Sequence, residues 1–197
     1  MDNLIYKYRI DNHKELNEKL LDTLALVPEI IYPQLTYKDD YNHDSNSIVP
    51  EEWKINQVDW NEYIKTYPYI EYKEIFLDAI KCKLKEHAEF HIQPEITGLK
   101  YRHNIFHMWY HQMIKQDNVG WHNHQKCQWS GIYFVEVQEQ KYITEFLNLE
   151  TQEIIQPKAE VGDMLIFPSW MLHRAPKIYN NRKTVIVWNM DIYYHYE

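Results

Sequence analysis

The sequence predicts an α+β fold that is mainly β, in which helices from the first half of the chain pack on an antiparallel sandwich or barrel. After about residue 100 the apolar runs become short and rich in β-branched and aromatic residues, with turn-forming residues between them. These predicted strands cover residues 105–114, 129–137, 141–149, 163–167 and 183–194, and a further short strand is expected at residues 4–10. Before residue 100, apolar residues recur instead at helical spacing.

Two helices are expected in the first half of the chain. The first follows Asn12, a suitable cap because Glu15 lies three residues further on, at the capping-box spacing. Its apolar pattern continues until Pro28 interrupts it. The second helix covers residues 71–90, which have apolar side chains on one face and Lys and Glu on the other. Residues 38–47 are polar and turn-rich, and they are therefore predicted to form a surface loop.

Length and composition indicate a single domain from a reducing compartment. A chain of 197 residues without a sharp shift in composition predicts a single domain, residues 1–197. Its first part, residues 1–100, is helical and irregular, and residues 101–197 form the β core. We expect no membrane span and no signal peptide, because no apolar run approaches the required length. Two cysteines cannot form a disulfide framework, so a reducing, cytoplasmic location is expected.

Charge and glycine content exclude two large classes of function. The net charge is −8 and no basic cluster is visible, which argues against nucleic acid as a partner. The chain has only four glycines, whereas a P-loop or a Rossmann fingerprint needs several that are closely spaced. Nucleotide-binding enzymes of those two kinds are therefore excluded.

Histidines in the β half form a pattern that suits a metal site. His122 and His124 are two residues apart, so in a strand both point to the same face and can bind one metal ion. His173 follows about 50 residues later, after a predicted turn and a buried strand. Three neutral imidazoles make one face of an iron, copper or zinc site and leave coordination positions open. Open positions are typical of catalytic rather than structural metal sites.

An arginine follows the distal histidine at a distance that suits a second ligand-binding group. Arg182 lies nine residues after His173 and begins a predicted strand that contains Trp188. Arg182 and Trp188 share strand parity, so both can face the same interior. A guanidinium group offers a fixed fork for a carboxylate. A metal together with a carboxylate anchor predicts a bound oxo-acid co-substrate.

With these residues the chain resembles the iron(II)- and 2-oxoglutarate-dependent oxygenases, in particular their prolyl-hydroxylase-like branch. The family has a His-x-Asp/Glu pair, a distal histidine, and an Arg or Lys nine or ten residues beyond it. The corresponding residues here are His122-Asn123-His124, His173 and Arg182. The runs Ser130-Gly131-Ile132-Tyr133, Gly162-Asp163, Phe167-Pro168 and Val187-Trp188 also follow the family pattern, so the resemblance covers about residues 105–192. The His-x-His variant is similar to that of a small group of uncharacterised bacterial and phage members.

The resemblance implies a fold, an activity and a set of roles. The fold is a double-stranded β-helix, or jelly roll, braced by N-terminal helices. The activity is that of an oxidoreductase, a dioxygenase that uses Fe(II), 2-oxoglutarate and O2 to hydroxylate a small molecule or a peptidyl side chain, releasing succinate and CO2. The implied roles are Fe(II) binding and catalysis for His122, His124 and His173, binding of the distal carboxylate for Arg182, and further co-substrate contacts for Tyr110 and Trp188.

The residue at position 124 leaves alternatives open. The family has a carboxylate there, whereas this chain has His124; Asp117 or a water could complete the site instead. A three-histidine dioxygenase that does not use 2-oxoglutarate is one alternative function, which His124 favours and Arg182 argues against. A non-enzymatic jelly-roll binding module is another.

A second group of histidines has a weaker pattern. His103, His107 and His111 are spaced four apart and could line one face of a helix as a metal site. The stretch alternates like a strand, however, which favours a structural role.

Overall fold

The computed structural model describes residues 2–25, 71–91, 99–113, 117–179 and 182–196. Within these ranges lie helix α1, His13–Ala25, and helix α2, Glu71–Phe90, together with short 3-10 helices at Asp2–Leu4 and Gln140–Tyr142. The strands are β1 Tyr6–Arg9, β2 Leu99–Met113, β3 Val119–His122, β4 Trp129–Glu136, β5 Glu145–Leu147, β6 Ile154–Ile155, β7 Asp163–Pro168, β8 His173–Ala175 and β9 Lys183–Tyr196. The loop predicted at residues 38–47 lies outside the described residues.

The strands form two antiparallel sheets. The larger sheet has the order β1-β7-β4-β9-β2 and the smaller has the order β3-β8-β5-β6. An apolar cluster that includes Phe134 and Leu165 of the larger sheet and Phe146 of the smaller one lies between them. This arrangement confirms the predicted jelly roll with helices. The helix predicted at residues 71–90 is also confirmed, whereas residues 141–149 form a 3-10 turn followed by the short strand β5.

The larger sheet is buried on both faces. One face packs on the helices, through an apolar cluster that joins Leu20 of α1 and Phe76 of α2 to Ile186 and Trp188 of β9. The other face looks into the jelly roll, where Val185 of β9 packs. Because successive side chains of a strand point to opposite faces, even-numbered residues of β9 face the helices and odd-numbered ones face the jelly-roll interior. This alternation decides which residues can reach a site between the sheets.

Helix α1 is attached to the sheet by a buried amide. The side chain of Asn17 donates a hydrogen bond to the carbonyl oxygen of Val135 (2.8 Å) and accepts one from the hydroxyl of Tyr133 (2.7 Å). All polar atoms of this amide face strand β4, so α1 has one defined register on the sheet. Among the described residues, no helix is both long and apolar enough to span a bilayer.

The indole of Trp188 packs directly over Gly131. These two residues are cross-strand neighbours on β4 and β9, and Trp188 is fully buried with its ring 5.5 Å from that of Phe76. A Cβ atom at position 131 would lie 2.0 Å from the indole. The glycine is therefore required by the close approach of a large ring.

Replacing Gly131 with alanine should destabilise the fold by about 1–3 kcal/mol, because the added methyl overpacks the indole. The measurement is the free energy of unfolding in denaturant for Gly131→Ala, Trp188→Leu and the double variant. If the indole causes the loss, Gly131→Ala should be much less harmful in the Trp188→Leu background. Equal losses in both backgrounds would contradict this account.

Candidate metal centre

Three histidines meet between the two sheets. His122, at the end of β3, and His173, at the start of β8, are direct cross-strand partners. His124 lies two residues beyond β3, and its ring is 5.1 Å from each of the other two rings, measured between centroids. One ligand nitrogen from each histidine lies within 4.8 Å of the others, and this is the one such group of metal-binding side chains in the described part of the chain.

Backbone carbonyls orient two of the three rings. Nδ1 of His122 lies 2.8 Å from the carbonyl oxygen of Gly120, and Nδ1 of His173 lies 2.9 Å from that of Met171. A carbonyl oxygen can only accept, so Nδ1 carries the proton in both rings and Nε2 has the lone pair. Such contacts typically fix the tautomer of metal-binding histidines.

His124 reaches the site from a loop rather than from a strand. Its backbone N–H donates to the carbonyl oxygen of Ser169, at 2.8 Å, in the turn between β7 and β8. Nδ1 of its ring lies 3.3 Å from the side-chain nitrogen of Asn189 on β9. The convergence of His122 and His124 was predicted from strand geometry, but it depends on this attachment of the loop to Ser169.

The surroundings keep the imidazoles of His124 and His173 neutral. Burial, followed by the nearby His122, His107 and His111, lowers the pKa of His124 to about 3. Burial also lowers the pKa of His173 well below its ordinary value, and His122 and His124 add to this effect. A neutral imidazole is the form that binds a metal, so the donor set fits a divalent transition metal such as Fe(II).

A cavity of about 500 Å3, including its mouth, opens beside the three histidines. The walls come from both sheets and are mostly apolar, with a few polar groups. The lining residues besides the three histidines include Trp109, His111, Met113, Val119, Ser130, Ile132, Thr144, Phe167, Val185, Val187 and Asn189.

A buried lysine lies next to this cavity. Lys183 is 1% exposed and is the cross-strand partner of Met113, which lines the cavity. Its ammonium group donates to the carbonyl oxygen of Tyr142 at 2.5 Å. Two residues further along the chain, Thr144 lines the cavity with a buried hydroxyl that has no hydrogen-bond partner among the described residues. A buried amine next to the cavity and an unpartnered hydroxyl in its wall suit an anionic ligand group.

Arg182, the residue predicted to bind the carboxylate, has a different environment. Its side chain is 45% exposed and its Nε donates to a carboxylate oxygen of Glu136 at 2.7 Å. It does not line the cavity. Arg182 and Lys183 are adjacent in the chain, and only Lys183 has the odd parity of Val185 and Val187, which do line it.

The other two predicted co-substrate residues also lie on the helix side of the larger sheet. Tyr110 contacts Tyr72 of α2 edge to face, with 5.6 Å between ring centroids. Trp188 borders the cavity, but its indole is buried between Gly131 and Phe76. Arg182 and Trp188 have the same strand parity, as the sequence predicted, and Tyr110, paired with Ile186, lies on that same face, which packs on the helices. Their contacts with a co-substrate stay predictions; in this structure Arg182 and Tyr110 do not line the cavity.

The remaining histidine and carboxylate candidates do not join the metal group. Asp117 is buried but is not part of the three-histidine group. His103, His107 and His111 lie on β2, as the alternating pattern predicted, and not on a helix. His103 contacts the carbonyl oxygen of Leu84 in α2 at 2.7 Å, which is a structural role.

Sequence reasoning missed Lys183, Thr144 and Asn189. A signal for Lys183 was present, since it lies ten residues after His173 and alternates in register with Val185 and Val187. Thr144 and Asn189 carry no sequence signal of their own, because they reach the site only through strand pairing.

Comparison with known proteins identifies the β half of the chain. Residues 107–187 match the family model described as "Putative 2OG-Fe(II) oxygenase". Among curated proteins, no match is found.

Solved structures share the fold. A prolyl hydroxylase from Trichoplax adhaerens, solved with a peptide of the hypoxia-inducible factor oxygen degradation domain, has a TM-score of 0.61 at 10% identity and covers 95% of this chain and 83% of its own. A viral collagen prolyl hydroxylase from Paramecium bursaria Chlorella virus-1, solved with 2-oxoglutarate, has a TM-score of 0.50 at 13% identity and covers 95% of both chains. An oxidoreductase of the 2OG-Fe(II) oxygenase family from Burkholderia pseudomallei has a TM-score of 0.50 at 12% identity. The match covers 63% of this chain and 56% of the Burkholderia protein.

The family requires Fe(II) and 2-oxoglutarate, and the three-histidine group could bind the metal. The resemblance predicted from the sequence is confirmed as a resemblance: residues 107–187 match the model of the 2-oxoglutarate- and iron(II)-dependent oxygenases, and solved members of that family share the fold.

Proposed function

We propose that the protein is an Fe(II)- and 2-oxoglutarate-dependent hydroxylase of an amino-acid side chain or a small metabolite. The observation that supports this proposal is a cavity with His122, His124 and His173 in its wall and Lys183 buried beside it. Bound Fe(II) and 2-oxoglutarate supply the oxidation of the substrate by O2, with succinate and CO2 as products. The contribution of the protein is positioning and the exclusion of water.

Each group of the chain has a distinct part in this proposal. His122, His124 and His173 hold the metal through Nε2, and three protein donors leave positions for other ligands. Lys183 and Thr144 bind the distal carboxylate of 2-oxoglutarate, in place of Arg182. An ammonium group has three donors, so its contact with the Tyr142 carbonyl leaves others for a carboxylate.

The substrate would enter between Trp109 and His111 of β2 and the three histidines. Both residues line the cavity, and the ring of Trp109 lies 5.9 Å from that of His124. The Trichoplax neighbour was solved with a peptide. A peptidyl side chain is therefore one substrate class to test, beside small metabolites.

The three-histidine group itself can be tested by metal binding. Replacing His122, His124 or His173 with alanine should lower Co(II) affinity by more than about 100-fold, which exceeds the effect usual for groups outside the ligand set. His103→Ala is the matched control, because His103 contacts only the α2 side of the sheet in its described hydrogen bond. Undiminished affinity in the triad variants, measured by competition with a chromophoric chelator, would contradict the assignment.

The residue that binds the distal carboxylate can be identified by comparing 2-oxoglutarate binding in variants of Lys183 and of its neighbour Arg182. Anaerobic addition of Fe(II) and then 2-oxoglutarate should give a saturable visible charge-transfer band. Lys183→Met should weaken 2-oxoglutarate binding about 10- to 100-fold, because a charge-assisted contact is lost. Arg182→Ala, which breaks an exposed ion pair with Glu136, should leave it unchanged.

The outcome of that titration separates the alternatives. Loss of the band in Arg182→Ala but not in Lys183→Met would show that the anchor is Arg182. Iron binding without any band would favour a three-histidine dioxygenase that does not use 2-oxoglutarate. The observation that favours this second candidate function is the presence of His124 where the family has a carboxylate.

Affinity for 2-oxoglutarate should also depend on pH through Lys183. Burial lowers the pKa of Lys183 to about 7, against a smaller opposite effect of Glu145. A carboxylate binds the protonated amine, so affinity should fall as pH rises above about 7, by up to about tenfold per pH unit. Arginine stays charged, so Lys183→Arg should remove this component. The same pH dependence in both proteins would show that Lys183 is not its source.

A further inference from the structure

A chain of buried hydrogen bonds leads from the ring of His124 into the larger sheet. Nδ1 of His124 lies 3.3 Å from the side-chain nitrogen of Asn189, and the Asn189 oxygen lies 2.9 Å from the hydroxyl of Ser130. The Ser130 hydroxyl lies 2.9 Å from that of Ser169, which accepts from the thiol of Cys127 at 3.0 Å. Asn189, Ser130 and Ser169 are all buried, so water does not replace these contacts.

Ser169 holds the loop of His124 at more than one point. Its carbonyl oxygen accepts from the backbone N–H of His124, and its own N–H donates to the carbonyl oxygen of Gln128 at 2.9 Å. The same residue therefore fixes the main chain of His124 and, through Ser130 and Asn189, contributes to the position of its ring. The hydrogen bonds therefore connect the ring of His124 to strands β4 and β9 of the larger sheet.

The partner of His124 differs in kind from the partners of His122 and His173. Backbone carbonyls can only accept a proton, so they fix the tautomer of those two rings. The side-chain amide of Asn189 can accept through its oxygen or donate through its nitrogen. The tautomer of His124, and hence its ability to bind a metal through Nε2, depends on how this amide is oriented.

Both orientations of the amide satisfy the chain. In one, Ser130 donates to the oxygen of Asn189 and the amide nitrogen donates to Nδ1 of His124, which places the ring proton on Nε2. In the other, the amide is rotated by half a turn, so that Nδ1–H of His124 donates to the oxygen and the nitrogen donates to Ser130. Ser130 then donates to Ser169, because either hydroxyl can be the donor. Only the second orientation leaves a lone pair on Nε2.

We propose that Asn189 is the positioning residue of His124: its amide oxygen accepts the Nδ1–H of this ring and presents Nε2 to the metal, while its amide nitrogen donates to Ser130, which donates in turn to Ser169. The proposal rests on the metal-binding role proposed above for the three histidines. The proposal gives His124 a neutral side-chain partner, the amide of Asn189. Such a partner suits a histidine in a loop, because the loop has no cross-strand neighbour that could orient the ring.

The test is the Co(II) affinity of Asn189 variants, measured by competition with a chromophoric chelator. Asn189→Ala should lower the affinity about 10- to 100-fold, as is usual when the partner of a metal-binding histidine is lost. Asn189→Asp should retain or raise it, because a carboxylate can only accept from Nδ1–H. In the His124→Ala background, Asn189→Ala should have no further effect, since the two residues act through one nitrogen.

A matched control comes from a second buried asparagine. Asn17 is as buried as Asn189, each 6% exposed, and its amide bonds Val135 and Tyr133 on the helix side of the sheet. Asn17→Ala should lower the melting temperature without changing Co(II) affinity. In the Zn(II)-loaded protein, long-range proton–nitrogen NMR should find the His124 proton on Nδ1. This readout does not depend on turnover.

The outcomes separate this inference from the proposed function. Undiminished affinity in Asn189→Ala, together with weakened binding in His124→Ala, would overturn the role of Asn189 alone. Weakening in Asn189→Asp equal to that in Asn189→Ala would also overturn it, because the acceptor would then not matter. Undiminished affinity in the His122→Ala and His173→Ala variants would overturn the metal centre and this inference together. Metal binding that follows the expected pattern, but without a 2-oxoglutarate band, would support the inference and contradict only the proposed co-substrate.

Discussion

The pairing of strand β9 within the larger sheet is the constraint on which the rest of the structure depends. Its even-numbered side chains close the sheet against the two helices, with Trp188 over Gly131 at the centre. Its odd-numbered side chains face the smaller sheet: Val185 and Asn189 line the cavity, and Lys183 has the same parity and pairs with Met113 in the cavity wall. Packing of the helices and chemistry of the cavity therefore depend on the register of the same strand. A shift by one residue would exchange the two faces.

The metal group depends on contacts from both sheets. His122 and His173 belong to the smaller sheet and are oriented by carbonyls of their own segments, two residues back in each case. His124 has no such partner and depends on Ser169 for its main chain and on Asn189 for its ring. In the proposed metal centre, a histidine with neutral hydrogen-bonding partners stands where the oxygenases that the chain resembles have a carboxylate ligand. The chain of hydrogen bonds from His124 through Asn189 and Ser130 to Ser169 is the polar path that crosses the core of the larger sheet.

The sequence predicts the fold and the three histidines, but not which face of β9 lines the cavity. Strand alternation correctly gives Arg182 and Trp188 the same parity. A strand that is buried on both sides reads as continuously apolar, however, so alternation alone cannot tell the helix side from the cavity side. The choice between Arg182 and Lys183 needs the observed pairing of Lys183 with Met113. Asn189 and Thr144 become functional candidates only through contacts between distant segments.

The central claim is that three histidines hold the metal and that Lys183 holds the far end of the co-substrate. The most direct test is an anaerobic crystal structure of the protein with Fe(II) and 2-oxoglutarate. The account predicts Fe(II) bound by Nε2 of His122, His124 and His173, and the distal carboxylate within hydrogen-bond distance of Lys183 and Thr144. A carboxylate bound at Arg182, or a metal held without His124, would contradict it.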